Sequence, residues 1–170
     1  LKNRQVFYNK NKKEGKKEKV NPITSLKIFE FAQNRNLDIH PSTIYSIINS
    51  KSTISKFENK KELFNIFVGI LLSSKNSEKY LRLMNECGVL GKLFPDFQKI
   101  VGLMQYNMYH HYTVDEHILR SIGFLHKLEK GDLKEIAPIA SKLFKKIQSR
   151  KVLFISVFLH DIGKGRNEDH

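Results

Sequence analysis

Tryptophan is absent from this 170-residue sequence, cysteine occurs once and proline four times. A single thiol, Cys87, excludes an internal disulfide framework and a thiolate-built metal site, and it fits a reducing compartment. Long apolar runs are missing as well. The most apolar stretch considered, residues 152–159, is far short of the roughly 20 residues that cross a bilayer. No apolar segment follows the opening Leu1-Lys-Asn-Arg-Gln5, so no signal peptide is expected. These absences point to a cytoplasmic protein without a membrane partner. Negative charge is scarce: 17 Asp and Glu against 30 Lys and Arg give a formal net charge of +13. The cations are dispersed rather than aligned, so they read as solvated helix faces, and nucleic acid is not an expected partner. Residues 1–20 are expected to be a basic loop or disordered segment, because residues 10–19 are mostly Lys, Asn and Glu.

What remains is helical in pattern. Asn21-Pro22 supplies a cap and a first-turn proline, and Ile23, Leu26, Ile28, Phe29, Phe31 and Ala32 are expected to form an apolar face. Further helices are expected from Pro41, from about Lys60 and from Asn76-Ser77, the last ending at Gly88. Gly91 and Pro95 should break the pattern. The stretch from 97 to 112 has no clean period and reads as an ordered connection or short helix. Thr113 followed by Glu116 is a capping-box spacing, opening a helix that carries His117, Ile118, Ser121, Ile122, Phe124 and Leu125. Gly131-Asp132 is a turn, 138–147 a short helix, and Ser149 a cap for residues 152–159. That last run suits a buried strand equally well by period, and the scarcity of strand signals elsewhere makes it a buried helix. The expected fold class is all-α.

The chemistry gathers at His160-Asp161, adjacent imidazole and carboxylate at the end of an apolar run. Buried or half-buried polar groups need partners, and a divalent metal is one. His117, in the first turn of its own helix, is a candidate third ligand. Imidazole and carboxylate together suit Zn, Mn, Fe or Mg. The alternative stays open: a capping His and a solvated Asp at a helix end. Gly163 allows the backbone to approach a ligand, and Lys164 either points a cation at an anionic substrate or neutralises the helix terminus. His110 and His111 read as surface or capping groups before pocket groups, and His40 as a loop residue. His126 lies too far along the helix to share a metal with His117. Cys87, Met104 and Met108 read as packing residues.

The run HDIGK from His160 to Lys164, with the upstream helical His117, resembles the HD superfamily of metal-dependent phosphohydrolases. The likeness is closer still to one family. MYHHYTVDEH ending at His117, HDIGKGR from His160 to Arg166, MNECGVLG from Met84 to Gly91, and Asn21-Pro22 are similar to the bifunctional uridylyltransferase/uridylyl-removing enzymes that act on the PII signal protein. The resemblance covers roughly residue 20 onward. It implies a nitrogen-sensing enzyme of the cytoplasm that transfers UMP from UTP to PII and removes it again by hydrolysis, under control of glutamine.

The removing activity belongs to the HD domain in that family, and the transfer to a nucleotidyltransferase domain whose Gly-Ser loop and paired aspartates are not found here. The chain is therefore expected to be a fragment: a helical connector over 21–98, then the first part of an HD-type bundle over 99–170, truncated at its C-terminus. His117, His160 and Asp161 match the family's metal ligands, with His170 as a further ligand or substrate contact. Asp161 and Lys164 are the catalytic candidates, Lys164 facing the phosphate. The cofactor implied is a divalent metal, Mg or Mn first, Zn or Fe otherwise. The superfamily's last Asp ligand has no counterpart, so the fragment alone is expected to be inactive. Two other readings stay open: another HD-type phosphohydrolase, and a non-catalytic basic helical binding module.

Overall fold

Asn21 starts the first helix as its chemistry allows. Its Oδ1 accepts the backbone N–H of Thr24 at 2.7 Å, and Pro22, which has no N–H to satisfy, takes the first helical position. The computed structural model describes residues 4–8, 20–50, 59–104 and 111–166. Among them the helices are α1 (Pro22–Arg35), α2 (Pro41–Ile48), α3 (Lys60–Leu72), α4 (Ser77–Glu86), α5 (Val89–Leu93), α6 (Pro95–Ile100), α7 (Val114–Lys130), α8 (Pro138–Phe144) and α9 (Arg150–Leu159), followed by a 3₁₀ turn at Ile162–Gly165. The fold is all-α, as the sequence pattern implied. One short parallel pair joins β1 (Gln5–Val6) to β2 (Asp38–Ile39). It places two extended residues inside the segment expected to be loop, while residues 9–19 lie outside the described residues.

Buried polar side chains tie the early helices end to end. Tyr80 Oη donates to Ala32 O or Leu37 O, at 3.1 and 2.9 Å, and so docks α4 on the end of α1. Ser77 Oγ lies 2.7 Å from Ile70 O and 3.0 Å from Leu71 O, where it satisfies carbonyls that the end of α3 leaves without helical partners. Gln33 Nε2 donates to Ile70 O at 3.0 Å, joining α1 to α3.

Four expectations need correction. Gly91 does not break the chain. It sits within α5, which starts after Gly88 in the left-handed region (φ 68°); the break falls at Phe94-Pro95, where α5 has ended and Pro95 opens α6. Thr113 stands at the cap position of α7 but makes no side-chain cap bond, and the Glu116 carboxylate that a capping box would turn back to the Thr113 N–H is engaged by Arg82 and Arg120. His40 is not merely a loop residue: its Nδ1 accepts the Ser42 N–H and caps α2. The last helix is not buried all round. Phe154 and Phe158 are buried, whereas Val152 is 61% exposed. One hydrophobic core of buried residues runs from Val20 to Phe158.

The centre of that core is aromatic. Phe158 of α9 stacks on Phe97 of α6 (centroids 5.3 Å, planes 4° apart) and meets Phe67 of α3 at 4.9 Å and Phe94 at 5.3 Å. Such pairs add about 0.5–1.5 kcal/mol each beyond area burial. A second buried group ties α3, α7 and α9. His126 Nε2 lies 3.0 Å from Leu71 O, and because a carbonyl only accepts, this nitrogen carries the proton. Arg150 donates to Leu72 O at 2.6 Å and pairs with Glu129, whose carboxylate lies 3.5 Å from His126 Nδ1. Burial first, and then Arg150, pushes the His126 imidazole below its ordinary 6.5, against the opposing effects of Leu71 O and Glu129.

Two outcomes follow from this packing. Phe158→Ala should cost about 3–5 kcal/mol in urea unfolding, as a fully enclosed aromatic does, whereas Val152→Ala should stay within about 0.5 kcal/mol. For His126 the folded pKa lies below the unfolded one, so the unfolded chain binds the proton first as pH falls through 6.5. Thermal stability should therefore decline on the acid side of that value. A His126→Gln variant should show a shallower decline over the same window, and equal slopes would contradict the assignment.

Candidate functional site

Two helix ends meet to form the site. At the first, α7 turns Val114, Ile118, Leu119 and Ile122 into the core, a spacing that fits one helical face. Its opening turn is fastened by polar contacts rather than by Thr113. Val114 N donates to Leu103 O at 2.9 Å. The buried Asp115 accepts Gly102 N–H at 3.2 Å through one carboxylate oxygen and Asn85 Nδ2 at 2.8 Å through the other. Glu116 then pairs with Arg82 of α4 and, at 2.7 Å, with Arg120 of its own helix. The residue after these anchors is His117. At the second end, α9 is capped by Ser149 Oγ accepting Val152 N–H at 3.3 Å, and it buries Phe154 and Phe158. His160 follows as its C-cap, and Asp161 precedes the 3₁₀ turn.

These ends bring His117, His160 and Asp161 together. Asp161 Oδ2 lies 3.4 Å from His160 Nε2 and 4.0 Å from His117 Nε2, and one ligand atom from each residue lies within 4.8 Å of the others. The imidazole rings are 5.4 Å apart at 63°. His160 Nδ1 is 2.7 Å from Val157 O, so in the neutral ring Nδ1 donates and Nε2 is left with its lone pair directed at the cluster. A backbone carbonyl behind a ligating histidine is the usual way a metal site fixes tautomer and orientation. Two imidazole nitrogens and one carboxylate oxygen therefore fit a divalent cation in donor type, spacing and tautomer. Asp161 is largely covered (14% side-chain exposure) while both histidines stay open to solvent, so the cluster has a closed and an open side.

Lys164 is the nearest cation described at this carboxylate: its Nζ sits 2.8 Å from Asp161 Oδ2. The sequence had suggested a lysine aimed at an anionic substrate, and the geometry puts it on the same oxygen that faces the imidazoles. His170 and His110 lie outside the described residues. His111 is exposed and does not belong to the cluster; His126 is buried in the α3–α7–α9 tie. Cys87 is enclosed, and burial pushes its thiol up to about 11, which suits packing rather than reactivity.

A recess of about 500 Å³ opens beside His117 and His160, with Tyr112, Arg120 and Phe124 among its walls. Sequence reading missed Asp115 and Arg82, because nothing local marks an acid or arginine whose partner lies some thirty residues away, and it missed Arg120, although the i,i+4 spacing from Glu116 was a local signal. It also missed Tyr112 as a wall of the recess. The one available signal was that Tyr112 and Phe124 are large aromatics flanking a candidate ligand helix.

Comparison with known proteins agrees with the motif resemblance. Residues 18–93 match the family model described as the uridylyltransferase GlnD third domain. The chain is 44% identical over 153 residues to the bifunctional uridylyltransferase/uridylyl-removing enzyme of Azospirillum brasilense. That match takes in 89% of this chain and 16% of the relative, so the chain spans about a sixth of the length of the protein it resembles. No solved structure matches it. No described helix is long and apolar enough to cross a membrane.

The anchoring role of Asp115 has a measurable consequence. Asp115→Ala removes the acceptor of both the Gly102 N–H and the half-buried Asn85 amide and should cost about 1–3 kcal/mol by equilibrium unfolding, two hydrogen bonds to a charged group. Asp115→Asn, which keeps one acceptor, should cost less; equal losses would mean that volume rather than hydrogen bonding matters there.

Proposed function

With this chain taken as a segment of the bifunctional uridylyltransferase/uridylyl-removing enzymes, we propose that His117, His160 and Asp161 hold a divalent cation at the uridylyl-removing site. The reaction is hydrolysis of the phosphodiester that joins UMP to a tyrosine of the PII signal protein. The observation that carries this reading is the convergence of three ligand atoms within 4.8 Å from two separate helix ends, with the His160 tautomer set by Val157 O. The motif-level and overall likeness to a protein named for uridylyl removal supplies the substrate class.

A bound Mg or Mn, or alternatively Zn or Fe, supplies Lewis acidity and a water nucleophile near neutral pH. The chain's own residues do the rest. Asp161 presents one oxygen to the cluster and to Lys164 together, so the ammonium is held within reach of the place where phosphoryl oxygens would lie. There it stabilises the charge that develops on those oxygens. His160, locked by its backbone bond, keeps its orientation through the reaction. The departing group is a tyrosine phenolate, with an ordinary pKa of about 10, so it leaves with little protonic help. In this reading His170 contributes a further ligand or a substrate contact. The opposite transfer of UMP from UTP, the response to glutamine and the cytoplasmic setting belong to the rest of the enzyme.

In the complete gene product, His117→Ala and Asp161→Ala should each abolish release of UMP from uridylylated PII, by a factor of at least about 10³, while transfer from UTP continues. Chelation should mimic both changes for the removal step, and added Mn or Mg should restore it only in the wild type. Survival of UMP release in both variants would refute the site.

A further inference from the structure

The recess beside the cluster is not explained by metal binding. Tyr112 and Phe124 expose large aromatic surface there, 46% and 56%, where aromatic side chains gain nothing from packing. Each carries a cation over its ring: Arg120 lies 4.1 Å from the Tyr112 centroid, and Lys127 Nζ lies 5.8 Å from that of Phe124. Arg120 uses its Nε on Glu116, one of the five donors of a guanidinium.

From this arrangement we infer that the recess walled by Tyr112, Arg120 and Phe124 is the nucleoside subsite, holding the uracil ring of the uridylyl group while its phosphate lies at the cluster. The inference rests on the proposed uridylyl-removing reaction and adds to it the residues that select the nucleotide. A phosphodiester has two arms. His117 and His160 line both the cluster and the recess, so an arm leaving a phosphorus held at the cluster runs into the recess. The tyrosyl arm is tethered to a folded protein and has to return to solvent. The nucleoside arm is free at its far end and can be enclosed.

The wall chemistry selects the same arm. A planar base stacks on an aromatic face. Uracil also carries two carbonyl acceptors suited to the donors of Arg120 and Lys127. A phenol ring offers no comparable acceptors.

The test compares two esters with the same leaving group, uridine 5′-(p-nitrophenyl phosphate) and methyl p-nitrophenyl phosphate, using the metal-loaded complete gene product. The wild type should prefer the uridylyl ester in kcat/KM. In Phe124→Ala that preference should fall about tenfold or more, chiefly through KM. Phe124 is exposed in this chain and lies outside its hydrophobic core, and a melting temperature equal to that of the wild type checks that the variant keeps its fold. Free uridine should inhibit the wild type competitively and the variant at least about tenfold less well. An unchanged preference together with unchanged uridine inhibition would overturn the subsite while leaving the hydrolytic reading intact. Failure of the wild type to release UMP from uridylylated PII would instead remove the reaction, and the subsite with it.

Discussion

The position of Phe158 governs the geometry of this molecule. Its ring is clasped by Phe67, Phe94 and Phe97, and with Phe154 one turn earlier it fixes both the rotation and the axial position of α9. An α-helix turns about 100° and rises about 1.5 Å per residue. A one-residue slip of α9 would therefore swing His160 to another face and move Asp161 away from His117. Apolar packing with no chemistry of its own decides whether the cluster of His117, His160 and Asp161 forms. The exposed remainder of the helix, including Val152 and Leu159, contributes little to that constraint.

The opposite half of the cluster is positioned by polar contacts. Asn85 and Arg82 belong to α4, inside the stretch that matches the uridylyltransferase third domain, and they hold Asp115 and Glu116 immediately before His117. This makes the early helices a floor for the site rather than a spacer ahead of it. The continuous core from Val20 to Phe158 says the same in apolar terms. A change in α4 would reach His117 through two adjacent carboxylates without touching substrate. The Arg82–Glu116 pair is part of a chain that also includes Glu78 and Arg120, so its members act together and removal of one would unbalance the others.

Local signals were legible in the sequence where their partners are local. Asn21 with Thr24, Asn59 with Glu62, and Ser149 with Val152 form caps three residues long, and each marks a real helix start. The capping-box spacing at Thr113 misled: its hydroxyl accepts no helix N–H, and the Glu116 carboxylate is engaged by two arginines. Gly91 looked like a breaker, yet α5 carries it in close approach to Gln98, a packing role that composition does not reveal. The run from 152 to 159 looked buried because its residues are apolar, but only the two phenylalanines spaced one turn apart are fully buried, with Ile155 and Val157 half-buried beside them. The ligand types of the cluster were readable from HDIGK and an upstream histidine. The tautomer at His160, the placement of Lys164 on Asp161 and the recess walls all depend on tertiary contacts, so they were not.

Lys164 and a cation would meet at the same oxygen, Asp161 Oδ2. A single carboxylate between an ammonium and two imidazoles neutralises little positive charge, so a divalent ion there leaves the local field net positive. Such a field disfavours tight metal retention by the three protein groups alone, since like charges at short range repel strongly in a half-covered site. It equally favours an anionic phosphodiester, which brings the missing negative charge and further oxygen ligands. On this electrostatic argument a metal and an anionic phosphodiester bound here as proposed would each raise the affinity of the other in equal measure. The +13 formal charge of the chain acts in the same direction at longer range, drawing anionic substrates toward the surface without choosing among them. Choice then falls to short-range contacts, which at this site means the aromatic and cationic walls next to His117.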